Sequence, residues 1–208
     1  VTTRETPPKR RPAARREPYS SAGLTAHLYL RVKQHLLEHD PDAAQILEWS
    51  ERELAPPADA DKLAAEVIWI ILCAGRSAQA ARTIEKKVWA ALSAGTPVVG
   101  AFGYHAKAAA IERAWAERMT DFKRLQHALL RGPEGVIEWA GALPFVGDIS
   151  KYQLAKNFGV ETVKPDLHLC RLAGIHHTER LPHGERYRRC QAMAEQISRA
   201  TGDSVPIV

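Results

Sequence analysis

Leu143-Pro144-Phe145-Val146-Gly147-Asp148, then an amphipathic run from Ile149 to Asn157, then Lys164-Pro165-Asp166-Leu167-His168: the chain is organised around this stretch. A helix from Glu134 to Gly141 leads into it. Pro144 fixes one φ, and Gly147 is expected to take a backbone conformation that a side chain would forbid. Asp148 is placed to cap the helix that follows. Such a turn presents consecutive backbone N–H groups beside a helix N-terminus, a seat for a phosphate that reads no base sequence. Nineteen residues after Gly147 stands Asp166. The proline before it stops the preceding segment, so Asp166 reads as the N-cap of a helix with Leu167, Leu169, Leu172 and Ala173 on its apolar face, its carboxylate turned back toward the hairpin.

Helical spacing accounts for the remaining segments. Ser20 or Ser21 is expected to cap a first helix from about Ala22 to Glu38, and a second, Asp42 to Leu54, stops at Pro56-Pro57. Asp59 or Asp61 opens a third, which is apolar on nearly every side from Leu63 to Leu72 and is therefore expected to be central. Gly75-Arg76-Ser77 interrupts it, a helix resumes from Ala78 to Ser93, and Gly95-Thr96-Pro97 ends that piece. Lys107 to Leu130 supplies one or two helices, Gly132-Pro133 a turn, and Glu185 to Arg199 the last helix. No segment alternates as a strand does, so the class is all-α. Residues 19–208 read as one helical domain. Its central lobe covers about residues 61–165, and a second lobe, from residues 20–60 and 166–208, lies beside it. A substrate cleft is expected between the two.

The net charge of +5 is unevenly placed. Arg4, Lys9, Arg10, Arg11, Arg15 and Arg16 stand in residues 1–18 against only Glu5 and Glu17, with prolines spread among them. That segment reads as a disordered basic arm, which either attracts phosphates without sequence preference or is a solvated extension of no consequence. Three cysteines without a CxxC pair fit a reducing compartment and form no disulfide framework. No apolar run approaches a membrane span, and no signal core is seen, so a cytoplasmic protein is expected, nucleoid-associated if bacterial.

The hairpin residues Leu143 to Gly147, followed by Lys164-Pro165-Asp166-Leu167-His168, resemble the Gly/Pro-rich hairpin and catalytic aspartate of the helix-hairpin-helix GPD (HhH-GPD) superfamily of DNA glycosylases. That group contains endonuclease III, the adenine glycosylases and the 8-oxoguanine glycosylases. Ile71 to Ser77, continuing to Val88-Trp89, is similar to the helix, wedge loop and helix of endonuclease III-like members. The resemblance spans about Asp61 to Gly174. It implies a two-lobed helical fold, double-stranded DNA containing an altered base as partner, a monomer, and Asp166 as the catalytic carboxylate.

This chain departs from the family pattern at several positions. The family's first hairpin glycine is Phe145 here. Members that also cut the strand carry a lysine two residues after the second glycine, where this chain has Ile149. Lys151 lies about 200° further round the helix, so it reads as a solvated or phosphate-contacting side chain in preference to a lyase nucleophile. The iron–sulfur cysteines are missing, and the wedge glutamine is replaced by Gly75, leaving Arg76 to reach into the duplex with Ser77 beside it. A monofunctional enzyme without cofactor or metal is thus implied.

Its chemistry requires the nucleotide to be extruded from the duplex. A carboxylate must then stabilise the positive charge that develops on the sugar and orient the attacking water. Asp166 reads either in that role or as a purely structural cap. Tyr152, then Trp69, are the preferred base contacts among Trp69, Trp89, Trp115, Trp139, Tyr104 and Tyr152, although aromatic residues at helical spacing usually belong to a core. Lys164, His168 and Arg171 are phosphate candidates. The His- and Arg-rich stretch from Arg171 to Arg189, with Cys170 and Cys190, matches no standard zinc spacing. Two other readings stay open: a DNA-binding module that retains the hairpin but catalyses nothing, and a glycosylase-derived enzyme doing other chemistry on a modified base.

Overall fold

The helix Ala60–Cys73 lies at the centre of the larger of two apolar clusters. In the computed structural model, which describes residues 23–176 and 179–208, eleven helices follow one another. They are α1 (Ala26–His39), α2 (Ala43–Arg52), α3 (Ala60–Cys73), α4 (Ala78–Ala94), α5 (Val99–Phe102) and α6 (His105–Ala116). After these come α7 (Arg118–Leu130), α8 (Gly132–Gly141), α9 (Ser150–Asn157), α10 (Leu167–Leu172) and α11 (His183–Thr201). The described residues contain no strand and form an all-helical structure. Among them, no helix is long and apolar enough to cross a membrane.

Eight of the fourteen residues of α3 are buried, and it contacts α4, α6, α7 and α9. Few polar side chains interrupt it, so an interior position removes most of its surface from water. Asp59 starts it by accepting the Lys62 N–H at 2.8 Å. Ser77 starts α4 in the same way, and Gly95 ends α4 in the left-handed region. A continuous apolar core runs from Leu63 through Ile111, Leu125 and Leu154 to Val160. A second, smaller cluster joins Val163, Cys170, Ile175, Cys190, Ala194 and Val205.

Helix α1 packs on α11, which carries part of that second cluster. Its Thr25 cap replaces the expected serines, and the helix begins at Ala26. Ser20, Ser21, the arm of residues 1–18 and His177 lie outside the described residues. The Leu24 N–H donates to Leu172 O at 2.7 Å, and α1 packs along α11. From α1, the Tyr29 hydroxyl donates to Asp203 at 2.7 Å, and the Lys33 ammonium reaches both carboxylate oxygens at 2.8 Å. Partial burial alone would raise the Asp203 pKa. The hydrogen bonds from Lys33 and Tyr29, with the Lys33 charge, outweigh that and hold it below its ordinary value of 3.8. A depressed carboxylate contributes stability that is present above its unfolded pKa and lost as pH falls through its folded pKa. Asp203→Asn is therefore expected to cost about 1 kcal/mol at neutral pH. In urea titrations the gap from wild type should begin to close as the pH falls below 3.8 and disappear below the depressed folded pKa; a gap that persists in strong acid would show that the clamp is not ionic.

Cys170 and Cys190 face one another in this second cluster, Sγ to Sγ 3.8 Å apart. Burial, reinforced by Cys170, pushes the Cys190 thiol up to about 12. Among the described residues, no group of three or more His, Cys, Asp or Glu side chains gathers as metal ligands would.

Candidate functional site

Two helix faces enclose the cavity of interest. From α3 come Glu66, Trp69, Ile70 and Cys73, at the spacing of one helical face; from the start of α9 and along it come Ile149, Gln153 and Asn157. Asn157, at the end of α9, donates to Glu66 at 3.0 Å, and Ile149, just before α9, shares the cavity with Gly75 and Arg76 beyond the end of α3, so the two helices run antiparallel here. Gly75 and Arg76 of the α3–α4 loop line one end and Trp49 of α2 also contributes; Lys164 borders the cavity from the loop before α10. The volume is about 570 Å³, within the usual range for small-molecule sites.

Asp166, the N-cap of α10, does not itself line this cavity; it connects to it through Lys164, which does. Its Oδ1 accepts the backbone N–H groups of His168 at 2.9 Å and Leu169 at 3.0 Å. Its Oδ2 faces the Lys164 ammonium at 3.8 Å. The loop that carries it is held against α11. There Thr162 meets the Tyr187 hydroxyl at 3.1 Å, the Val163 N–H donates to Gln191 at 3.2 Å, and Gln191 donates to Glu161 O at 3.0 Å. Thr162 is fully buried, so the carboxylate is set by the packed interior and not by a loose loop. Lys156 lies close by on α9. Burial lowers its pKa first, the Lys164 charge lowers it further, and the Asp166 carboxylate partly opposes both.

The α8–α9 turn corrects the sequence reading in two places. Val146 N–H donates to Leu143 O at 3.1 Å, which makes Leu143 to Val146 a β-turn with Pro144 at its second position. The third position is the one that needs positive φ, and Phe145 occupies it at φ 62. Gly147 has no such φ, and a Cβ added there would meet nothing within 4 Å. The glycine-demanding position is therefore Phe145, which rests edge-on against the Tyr104 ring, centroids 6.2 Å apart. Asp148 does not cap α9 with its side chain. The N-cap position is Ile149, and Asp148 instead meets Lys151 at 3.4 Å.

The remaining candidates separate clearly. Trp69, Arg76, Ile149 and Lys164 line the cavity, while Ser77 is spent on capping α4. Tyr152, preferred from sequence as the base contact, is only 7% exposed and stacks on Tyr187 with centroids 3.9 Å apart, so it ties α9 to α11 and does not border the cavity. Lys151 also stays out of the cavity, its stem against Gly141. Trp89 and Trp115 pack on each other, and Trp139 packs on Phe158. His168 is exposed and Arg171 half-buried.

Sequence reasoning missed Trp49, Glu66, Gln153 and Asn157. Glu66 carried a usable signal, since a carboxylate within an otherwise apolar helix has to find a polar partner. Set against known proteins, the chain matches no family model, no curated protein and no solved structure.

Proposed function

We propose that the chain is a DNA glycosylase of the HhH-GPD kind, acting on duplexes that carry an altered base. In this reading the base is extruded into the cavity between α3 and α9, and the Leu143–Asp148 turn docks the phosphate backbone. One observation carries it. A single cavity collects residues from the loop assigned to the wedge, from the helix after the hairpin and from the segment just before Asp166, three parts distant in sequence.

Water attacks C1′ as the C1′–N bond breaks. The base leaves with the bonding electron pair and takes up a proton, and Asp166 receives a proton from the water while offsetting the positive charge on the sugar. Ile149 borders the cavity where strand-cutting relatives place a lysine, which favours a monofunctional enzyme. A second reading, a hairpin module that binds DNA without reaction, draws on the capping role of Asp166, which is by itself a structural reason for an acid at that position.

The test is a panel of duplexes, each with one altered base, incubated with wild type and with Asp166→Asn and then heated in alkali. Alkali-dependent cleavage by wild type alone supports the glycosylase. Cleavage without alkali, with covalent trapping by borohydride, overturns the monofunctional assignment and makes Lys164, the amine bordering the cavity, the residue to substitute next. The turn has its own test. Gly147 is open and free of positive φ, so Gly147→Val is expected to leave the unfolding free energy within about 0.5 kcal/mol of wild type. At the same time it should weaken binding to all duplexes alike; loss confined to one base would count against phosphate docking.

A further inference from the structure

The two ends of the cavity differ in chemistry. Gly75, Arg76 and Ile149 stand at the end formed by the α3–α4 loop and the hairpin. Glu66 lies seven residues before Cys73, and Asn157 eight residues after Ile149, so this pair sits about 10 Å further along both helices. There they separate the cavity from a second one lined by Pro56, Pro57 and Phe158, since Trp49, Glu66 and Asn157 border both. The pair is also locked. Gln153 donates to Asn157 at 2.8 Å, and Asn157 donates to Glu66 Oε2 at 3.0 Å. No cation pairs with Glu66 among the described residues, and its Oε1 accepts no hydrogen bond. The far end is therefore a fixed carboxylate between tryptophan and isoleucine walls, with acceptor capacity to spare.

We propose that Glu66 selects the base. The pocket takes purines of the guanine type, whose edge opposite the sugar carries an amino group beside a ring N–H. The inference rests on the cavity being the base pocket. A purine entering from the loop end brings its sugar-distal edge to Glu66, with Trp49 and Trp69 available for stacking. Adjacent N–H donors can engage a carboxylate through parallel bonds, as a guanidinium does. An edge that lacks the amino group leaves one carboxylate oxygen without a donor, and a carbonyl there sets lone pair against lone pair.

Binding of 9-methylguanine and 9-methylhypoxanthine to the full chain, followed by tryptophan fluorescence, tests this without requiring turnover. The two differ only in the amino group. Wild type is expected to bind 9-methylguanine at least about tenfold more tightly, a difference of about 1.4 kcal/mol. Glu66→Gln, nearly isosteric and still able to accept from Asn157, should erase that difference. Equal affinities in wild type, or no binding of either base, overturn the proposal with no variant needed. If wild type excises bases but Glu66→Gln keeps the same preference, the glycosylase stands and this selection falls. Selection that depends on Glu66, in a protein that excises nothing from any duplex, leaves recognition standing and removes the glycosylase.

Discussion

On the proposed glycosylase reading, Asp166→Asn is expected to lower the single-turnover rate of base excision by about 10²- to 10⁴-fold, the range typical of losing a positioned acid–base group. It should leave the unfolding midpoint almost unchanged. The second expectation follows from the geometry of the cap. Oδ1 accepts two backbone N–H groups of α10, and an asparagine side-chain oxygen accepts them about as well. The other oxygen meets Lys164 in a pair more than a third exposed on both sides, which contributes little to stability. Asp166→Asn therefore removes the negative charge and keeps the helix start, whereas Asp166→Ala removes both and should cost about 1 kcal/mol in addition. If Asp166→Asn retains the wild-type rate, the aspartate is a cap and nothing more, and the DNA-binding module becomes the better reading. Urea melts run on the same samples separate loss of chemistry from loss of fold.

Legibility of the site followed the range of the interactions involved. The caps at Asp166 and at Asp59, the latter one of two candidates with Asp61, could be read from sequence because each acceptor lies two or three residues from its donor. The central place of α3 was equally plain, since a helix apolar all round has only the interior to occupy. The turn was located correctly but its strain was assigned to the wrong residue. Sequence pointed to Gly147 because glycine tolerates positive φ, yet the hydrogen bond from Val146 to Leu143 fixes the turn one step earlier and places Phe145 there. Tyr152 failed as a base contact for a different reason. Its orientation is set by Tyr187, thirty-five residues away on α11, a pairing that no local pattern encodes. The cavity has the same character. Trp49, Glu66 and Asn157 come from three helices, and only the antiparallel packing of α3 on α9 brings the last two together.

Lys107 gives the largest expected effect on folding, and it was invisible in the sequence. In the sequence it only opens a helical stretch, yet it is 7% exposed and its ammonium donates to Ile71 O at 2.9 Å and Ala74 O at 2.5 Å. These carbonyls belong to the last turn of α3, where α-helical backbone acceptors have no partner of their own and where a positive charge is favoured by the helix dipole. Lys107→Met keeps the length and apolar stem of the side chain but leaves both carbonyls without that donor. Hydrogen bonds to a charged group contribute about 1.5–3 kcal/mol each, and the two share one ammonium, so the expected loss is about 3 kcal/mol. The α3–α4 loop begins at these carbonyls, so the proposed DNA binding should weaken as well, through displacement of Gly75 and Arg76 and not through any lost phosphate contact. The alkaline limb of the stability curve distinguishes this from simple loss of packing. Burial, then the Arg76 charge, lower the Lys107 pKa below its ordinary 10.5, against a smaller opposing influence from Cys73. Between the folded and unfolded pKa values the unfolded chain holds the proton that the folded chain has released, so wild-type stability gains with rising pH in that window. Lys107→Met has no such proton. The stability gap between wild type and variant should therefore widen as pH climbs toward 10.5, and a gap that stays constant would remove the buried ammonium from the account.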